Sequence, residues 1–236
     1  MNTGVVLDIG LMEYRLAWDL QKYLHDQVSR KLLPELLLLV EHPHVYTLGR
    51  RGNTIDILIS QRAIKNLGIE VHHVDRGGEV TYHGPGQLVG YPIVNLRERK
   101  MGPLDYVRSI EIVLSETLKE YGIDSYSADM PTGVWVGGSK IAAIGVKVSR
   151  GVTAHGFALN VVPDLSYFNH IVPCGIKGAE VTSMASVGKC ATDIKSVSIS
   201  LSRHFESVFG IEMEMDTLEG FERRFNFSVE SIRTCT

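Results

Sequence analysis

A single mixed α/β domain is predicted by three features of the sequence. The chain has 236 residues, which is long for one average domain and short for two. No internal repeat, low-complexity linker or change in composition marks a boundary within it. Strand-like segments also alternate with helical patterns along the chain. We therefore expect residues 1–236 to form one domain, with a mixed sheet flanked by helices.

The first part of the chain predicts strands separated by helices. A strand over Val5–Ile9 precedes a helix whose apolar residues recur at helical spacing. Further strands are expected at Glu35–Glu41 and Val45–Leu48, and a short helix at Ser60–Leu67. Two more strands, Val71–Asp75 and Glu79–Leu96, bracket a glycine-rich turn.

The second part begins with the clearest helical pattern in the sequence. Pro103 occupies a first helical position, and an apolar stripe follows it as far as Gly122. Short strands are expected between Ser125 and Val162, and another helix from Ile194 to Val208. The segment 211–236 is mixed and charged, so we expect a peripheral tail.

Composition argues against several classes of function. The net charge is −3, and basic residues are scattered rather than gathered into a stripe, so we expect no nucleic-acid partner. The longest apolar run, Leu36–Val40, is too short to span a bilayer. The N-terminus has no signal-peptide pattern, and we expect a cytoplasmic protein without a membrane association.

The cysteines and histidines predict neither a disulfide framework nor a metal site. Cys174, Cys190 and Cys235 are an odd number without a close-spaced pair, so reduced thiols are expected. Adjacent His72 and His73 would point to opposite faces of a strand, which is unsuitable for joint zinc ligation. We expect no metal and no cofactor.

The most informative run is Arg76-Gly77-Gly78-Glu79-Val80-Thr81-Tyr82-His83-Gly84-Pro85-Gly86-Gln87. Glycines allow backbone angles closed to other residues and allow a ligand to approach the main chain. Arg76 and His83 place hydrogen-bonding groups beside that opening. The pattern favours a ligand-binding turn between two strands, although a hairpin without a ligand would show the same glycines.

Two further side chains are candidates for chemistry. Cys174 lies between Pro173 and Gly175, a context that suits a nucleophile if a cation, base or helix N-terminus activates the thiol. A buried cysteine acting as a small apolar residue is the alternative. Lys140 follows Gly137-Gly138-Ser139 and precedes an apolar strand. It is either a site residue or an exposed hairpin lysine.

The glycine-rich run resembles the signature of the lipoyl(octanoyl) transferases, Arg-Gly-Gly-x-x-Thr-aromatic-His-x-x-Gly-Gln. Here it continues as Leu88-Val89-Gly90-Tyr91-Pro92. The resemblance starts near Glu41 and extends through 140–145 and 155–160 to Pro173-Cys174-Gly175. It implies the α/β fold shared by biotin and lipoate protein ligases.

The family resemblance also implies a chemistry. Octanoate would pass from octanoyl-acyl carrier protein to Cys174 as a thioester, and then to the ε-amine of a lysine on a lipoyl domain. Lys140 would form a dyad with Cys174, either as a cation that lowers the thiol pKa or as a neutral amine that moves protons. His83 could hydrogen-bond in the site, act as a second base or be structural.

The same resemblance implies a set of substrate-binding residues. They belong to the signature run and to two strands: Arg76, Gly77, Gly78, Glu79, Val80, Thr81, Tyr82, His83, Ala143, Ile144, Gly145, Gly156, Phe157 and Ala158. The small residues among them, together with Ala142, leave room for a linear acyl chain. Tight packing between strands would explain the same small residues.

The implied acceptors are lipoyl domains of 2-oxoacid dehydrogenase complexes and the glycine cleavage H protein. Such partners are generally acidic, so docking on this acidic chain would need a local basic surface, with candidates at Arg50, Arg51, Lys147, Arg150 and Lys177. Two other functions remain open. One is an ATP-dependent lipoate–protein ligase, and the other is a non-catalytic acyl-binding module.

Overall fold

A computed structural model describes residues 3–128, 130–172, 180–188 and 193–233. Ten strands occur in this part of the chain: β1 (Thr3–Leu11), β2 (Leu36–Glu41), β3 (Val45–Leu48), β4 (Glu70–His73), β5 (Val80–His83), β6 (Gln87–Ile93), β7 (Val134–Val136), β8 (Ser139–Ser149), β9 (Val152–Asn160) and β10 (Glu212–Asp216).

Helices connect and cover these strands. The α-helices of the described residues are α1 (Tyr14–Ser29), α2 (Gln61–Asn66), α3 (Pro103–Glu120), α4 (Met184–Val187), α5 (Ile194–Phe209), α6 (Leu218–Phe225) and α7 (Val229–Arg233). Two short 3₁₀ helices lie at Thr54–Asp56 and Leu165–His170.

The strands form two sheets. The main sheet has the order β10-β1-β2-β6-β9-β8-β7, in which β1 is parallel to both neighbours and the remaining pairs are antiparallel. The small sheet has the order β4-β3-β5, with β3 parallel to β4 and antiparallel to β5. The mixed sheets and their flanking helices confirm the predicted α/β class.

Helices cover both faces of the main sheet. On one face, α3 and α5 pack through apolar residues such as Leu114 and Phe205, which are fully buried. On the other face, Leu20 and Leu24 of α1 pack with residues of β1, β2 and β6. The apolar stripes seen in the sequence therefore correspond to the core-facing sides of these helices. The predicted helix at Pro103 begins at that residue, as expected for a proline at the first helical position.

The C-terminal segment is more integrated than the expected peripheral tail. Strand β10 lies at the edge of the main sheet, where it pairs in parallel with β1. Phe221 of α6 is fully buried and its ring contacts Phe225 and Phe227. The apolar residues of α6 share one helical face, so a segment that looks charged overall still contributes to the core.

Within the described residues, no helix is both long and apolar enough to cross a membrane.

Candidate active site

A cavity of about 460 Å³ lies between the two sheets. Residues of β6, β8 and β9 line one wall, while β5 and the loop Arg76–Glu79 line the other, and Tyr14 of α1 also contacts the space. β7 pairs with only the first residues of β8. Beyond them, Gly77 N–H donates a hydrogen bond of 3.0 Å to the carbonyl of Val146. Residues Arg76–Glu79, which we call the signature loop, thus cover the part of the β8 edge that β7 leaves unpaired.

Backbone hydrogen bonds hold the signature loop against the end of β3. The N–H groups of Gly49, Arg50 and Arg51 donate to the carbonyls of Glu79, Arg76 and Gly78 at 3.0, 3.0 and 3.1 Å. A Cβ atom at position 49 would lie 2.5 Å from the carbonyl oxygen of Gly78, so only glycine fits there. The close approach of the two segments explains why residue 49 is a glycine.

Arg76 is the buried cation of the signature loop. It is 8% exposed, and its Nη2 donates to both the carbonyl and the hydroxyl oxygen of Thr47, at 2.7 and 2.9 Å. Nη1 donates to the carbonyl of Gly77 at 3.0 Å. These contacts orient the guanidinium group and hold the loop against β3. The hydrogen bonds also offset part of the free-energy cost of burying the charge.

The small residues of β8 and β9 face each other across the cavity wall. Strand register places Ala143 opposite Ala158 and Gly145 opposite Gly156. Ala143 and Ala158 line the cavity directly. At Gly156, however, a Cβ atom would lie 2.1 Å from the carbonyl oxygen of Gly90 on β6. Both interpretations of the small residues therefore hold, since some leave open space and Gly156 permits close strand packing.

His83 lies in the cavity wall as a neutral imidazole. Its Nδ1 lies 2.7 Å from Oε1 of Gln87, and its ring stacks on Tyr14 with centroids 5.9 Å apart. Burial, with smaller contributions from nearby His42 and Arg76, lowers the pKa of His83 to about 3. Its basicity is therefore low at neutral pH, so the geometry favours hydrogen bonding over general-base catalysis.

Tyr82 is the exception among the predicted substrate-binding residues. All the others line the cavity. Adjacent residues of a strand point to opposite faces, and the Tyr82 hydroxyl lies 2.8 Å from Nδ1 of His44, with its ring stacked on Tyr167. This side chain supports the small sheet from behind the cavity wall.

Lys140 is the second residue of β8 and lines the cavity. It is 6% exposed, its Nζ donates to the carbonyl of Thr132 at 3.1 Å, and the same nitrogen lies 4.8 Å from the centre of the Trp135 ring. A carbonyl oxygen and an aromatic face are both suited to an ammonium group. The structure thus excludes the exposed hairpin lysine considered from the sequence.

Cys174 falls in residues 173–179, which lie outside the described residues, as do Cys190, Cys235 and Lys177. The chain that follows this stretch is described from Glu180 onward. The carbonyl of Glu180 accepts a hydrogen bond of 2.9 Å from Lys140 N–H, and Thr182 N–H donates to the carbonyl of Lys140 at 3.0 Å. Residues 180–182 therefore pair with the backbone of Lys140.

Among the lining residues that were not singled out as site residues, three are aromatic: Tyr14, Tyr91 and His155. His155 Nε2 lies 2.7 Å from Asp75, and burial lowers the pKa of this histidine. Its φ of 56° is in the left-handed region, although it lies within β9. Tyr91 and His155 belong to segments that resemble the family, whereas no sequence signal pointed to Tyr14.

Three of the basic residues considered for docking pair with acidic side chains. Arg51 pairs with Glu79 at 2.7 Å, Lys147 pairs with Asp75, and Arg150 pairs with Asp26 at 2.9 Å. Hydrogen bonds from His155 and Lys147 hold the pKa of Asp75 well below its usual range. Among the described residues, no group of three or more His, Cys, Asp or Glu side chains is arranged to hold a metal ion.

Comparison with known proteins places this geometry in a family. The lipoyl protein ligase A/B catalytic domain matches residues 13–206. An octanoyltransferase from Solibacter usitatus is 48% identical over 213 residues, which cover 90% of this chain and 96% of the relative. The chain belongs to the octanoyltransferase family. This confirms the resemblance predicted from the signature run and the assignment as an acyltransferase.

A second relative supports the same conclusion over nearly the whole length. The octanoyltransferase from Syntrophobacter fumaroxidans is 42% identical over 226 residues, which cover 96% of this chain and 99% of the relative. The match thus includes the signature loop, strand β8 with Lys140 and the residues around Cys174.

Solved structures confirm the predicted fold. A bipartite lipoate protein ligase from Thermoplasma acidophilum has a TM-score of 0.73 at 16% identity, covering 98% of this chain and 94% of that chain. A biotin protein ligase from Aquifex aeolicus has a TM-score of 0.52 at 14% identity, covering 89% of this chain and 71% of that chain. At these identities the likeness concerns the fold alone.

Proposed function

We propose that this protein transfers an octanoyl group from octanoyl-acyl carrier protein to Cys174, and then to the ε-amine of a lysine on a lipoyl domain. This would be the first step of endogenous protein lipoylation. The observation that carries the proposal is the cavity walled by small residues, with buried Lys140 in its lining. Membership of the octanoyltransferase family supports the same reaction.

The cavity suits a linear acyl chain. The small side chains of Ala143 and Ala158 leave space beside β8 and β9, while Val89 and Phe157 add apolar surface. At about 0.8 kcal/mol per buried methylene, the roughly six methylenes of an octanoyl tail would contribute on the order of 5 kcal/mol to binding. This is enough to make chain length a property that the cavity selects.

The proposed reaction has two acyl transfers. The thiolate of Cys174 attacks the carrier thioester, a new thioester forms on Cys174, and the bond to the carrier sulfur breaks. The carrier leaves as a thiolate, which takes up the proton that the Cys174 thiol gave up. The lysine amine of the lipoyl domain then attacks this thioester, the amide forms, and Cys174 leaves as the thiolate. An amide is more stable than a thioester, so the sequence of steps needs no nucleotide.

Lys140 would serve Cys174 in one of two ways. As a cation it would lower the pKa of the thiol, and as a neutral amine it would accept the proton of the incoming lysine. Backbone N–H groups of the cavity wall would stabilise the oxyanion at the thioester carbonyl. The N–H of Gly77 is already used by Val146, so we assign this role to other N–H groups of the lining.

We propose the lipoyl domains of 2-oxoacid dehydrogenase complexes and the glycine cleavage H protein as acceptors. The three cysteines are an odd number without a close-spaced pair, which favours reduced thiols, and thiols stay reduced in a reducing compartment. We therefore propose that the protein works in the cytoplasm.

The test is a mass measurement on the intact protein. After incubation with octanoyl-acyl carrier protein, the wild type should carry one octanoyl adduct, which peptide mapping should place at Cys174. Adding a lipoyl domain should discharge the adduct and acylate one lysine of that domain. Cys174→Ser should form no thioester, whereas the matched control Cys190→Ser should react as the wild type does.

A lipoate–protein ligase is the second candidate, because lipoate protein ligases share this fold. A parallel reaction with lipoate, ATP and the lipoyl domain separates the two functions. Modification that requires ATP and survives in Cys174→Ser would establish ligation and refute the proposal. Acyl binding without any modified lysine would establish the non-catalytic module.

A further inference from the structure

A chain of buried polar side chains runs from the signature loop to the backbone partner of Lys140. Thr47, His83, Gln87 and Asn160 are each at most 6% exposed. His83 Nδ1 lies 2.7 Å from Gln87 Oε1, Gln87 Nε2 lies 2.8 Å from Asn160 Oδ1, and Asn160 Nδ2 lies 2.9 Å from the carbonyl oxygen of Thr182. At the other end, Thr47 Oγ1 lies 3.4 Å from His83 Nε2.

The carbonyl of Thr182, at one end of the chain, determines which group donates in each of these hydrogen bonds. The carbonyl of Thr182 can only accept, so Asn160 must present its NH₂ group to it and its oxygen to Gln87. Gln87 must then donate to Asn160, and it also donates to the carbonyl of Tyr82 at 3.3 Å. The oxygen of Gln87 therefore faces His83, whose Nδ1 must carry the proton.

This arrangement leaves the other ring nitrogen of His83 as an acceptor. Nε2 is aimed toward Thr47 Oγ1, which accepts a hydrogen bond of 2.9 Å from Arg76 and can donate its own proton to His83. One set of oriented hydrogen bonds thus extends from Arg76 to Thr182. Thr182 N–H in turn donates to the carbonyl of Lys140.

Stability alone gives little reason for this chain. Buried amides add to stability only when all their groups are paired, and apolar residues of similar volume fill a core at lower desolvation cost. The chain also bridges the two sheets, since His83 ends β5 whereas Gln87 and Asn160 belong to β6 and β9. At one end of the chain, Thr47 contacts Arg76 of the signature loop. At the other end, Asn160 contacts Thr182, which pairs with Lys140 of β8.

We propose that Gln87 and Asn160 are positioning residues, which hold residues 180–182 beside Lys140 and keep His83 in its Nδ1–H form with Nε2 toward Thr47. Their effect on rate rests on the proposed function, because it acts through Lys140. They touch neither substrate nor the reacting atoms in this role. The hydrogen-bond order itself makes a prediction that does not depend on any acyl transfer.

The kinetic test uses a substitution that changes one donor into an acceptor. Asn160→Asp keeps the shape and the oxygen that faces Gln87 but places a second oxygen against the carbonyl of Thr182. At saturating octanoyl-acyl carrier protein, we expect the rate constant of adduct formation to fall on the order of 10- to 100-fold. The KM for the donor should stay within about threefold, because the cavity lining is unchanged.

The matched control is Thr117→Val on α3. It removes a different buried hydrogen bond, from Thr117 Oγ1 to the carbonyl of Val113 at 2.7 Å, at a residue of α3 outside the cavity lining. Its rate should stay within about twofold of the wild type. An Asn160→Asp protein that is folded and reacts at the wild-type rate would overturn the proposal.

A second measurement needs no variant of Asn160 and no acyl donor. Nitrogen-15 spectra of the histidine side chains of the wild type should show His83 as the neutral Nδ1–H tautomer from pH 8 to pH 5. Gln87→Leu should release this preference and give a mixture of tautomers. An Nε2–H or charged His83 in the wild type would refute the hydrogen-bond order.

The two measurements separate the proposals. If the wild type forms no adduct while His83 shows the expected tautomer, the acyl-transfer function is wrong and the hydrogen-bond chain stands without its catalytic role. If the adduct forms normally and the tautomer is the opposite one, octanoyl transfer stands and the positioning role of Gln87 and Asn160 is wrong.

Discussion

Lys140 illustrates how the surroundings of one side chain limit its chemistry. Its ammonium group is nearly buried, with the carbonyl of Thr132 on one side and the ring of Trp135 on another. Its backbone pairs with Glu180 and Thr182 on either side of Val181. A lysine held in this way has a defined position, which a catalytic partner of a thiol requires.

The first prediction concerns the role of that ammonium group. Lys140→Ala should lower octanoyl transfer by at least two orders of magnitude while the thiol of Cys174 remains present. If Lys140 supplies charge, pH-dependent alkylation should show a raised pKa for the thiol. If it moves protons, turnover should fall even at a pH where the thiolate is abundant.

The control is Lys119→Ala, which removes an exposed lysine of α3. Its transfer rate and alkylation profile should match those of the wild type. A folded Lys140→Ala protein with normal alkylation and normal transfer would contradict the dyad.

The second prediction concerns pH and the buried His42. Nδ1 of His42 lies 2.8 Å from the carbonyl of Met12 and Nε2 lies 2.9 Å from the Tyr91 hydroxyl, while burial lowers the pKa of His42 to about 4. The unfolded chain therefore binds the proton at higher pH than the folded one, so stability present above about pH 6.5 is lost as pH falls toward 4. This loss amounts to roughly 3 kcal/mol for one such histidine.

Urea unfolding between pH 7 and pH 4 tests this prediction. His42→Gln should make the free energy of unfolding fall less steeply with acid than in the wild type, even if the variant is less stable at pH 7. The exposed His73 provides the control, since His73→Gln should leave the slope unchanged. An unchanged slope in His42→Gln would show that His42 does not contribute to acid sensitivity.

At the scale of elements, the cavity depends on how β8 and β9 pair. The register of these strands brings Ala143 against Ala158, and the neighbouring β6 brings Val89 against Ala158. Gly145 differs from the alanines, because a Cβ atom there would lie 3.0 Å from the carbonyl oxygen of Gly77. A larger residue at Gly145 would thus displace the signature loop, whereas one at Ala158 would fill the cavity.

The third prediction is that Ala158→Leu shortens the preferred acyl chain. The added carbons occupy space needed by the end of an octanoyl group, and each lost methylene contact costs about 0.8 kcal/mol. Adduct formation with acyl carriers of four to ten carbons measures the profile, and its maximum should shift below eight carbons. Ala154→Leu, on the same strand but outside the cavity lining, is the matched control. An unchanged profile in a folded Ala158→Leu protein would remove Ala158 from the acyl site.

At the scale of the whole molecule, the C-terminal segment completes the main sheet and part of its core. β10 covers the outer edge of β1, and Phe221 packs in the same cluster as Leu20 and Leu24 of α1. The acidic side chains of β10 stay at the surface, where Glu212 and Glu214 discourage pairing of the sheet edge with another chain.

The fourth prediction follows from this packing. Phe221→Ala should lower the free energy of unfolding by about 3–5 kcal/mol, because it removes a large, fully buried ring. Met215→Ala, at a half-exposed residue of β10, should cost less than about 1 kcal/mol. Chemical denaturation of both variants at pH 7 gives the comparison. Equal small losses would mean that the C-terminal segment contributes little to the core.

Much of the fold could be predicted because local patterns report on it directly. Helical spacing of apolar residues located α1, α3 and α5, and β3 matches its predicted bounds. The C-terminal elements were the main omission. Their apolar residues are few and separated by charges, so their burial depends on meeting a distant part of the chain.

For the candidate site too, some features could be predicted from the sequence and others depend on the tertiary structure. The sequence by itself determined the chemical groups, since the glycine-rich run, Lys140 and Cys174 are visible as motifs, and the family follows from them. Only the tertiary structure decided that Tyr82 faces away from the cavity, that Tyr14 enters it and that Gln87 meets Asn160. The reason is physical. Residue types and their local spacing can be read from the sequence, whereas the direction of each side chain and the long-range hydrogen bonds depend on how the two sheets pack and on the register of their strands.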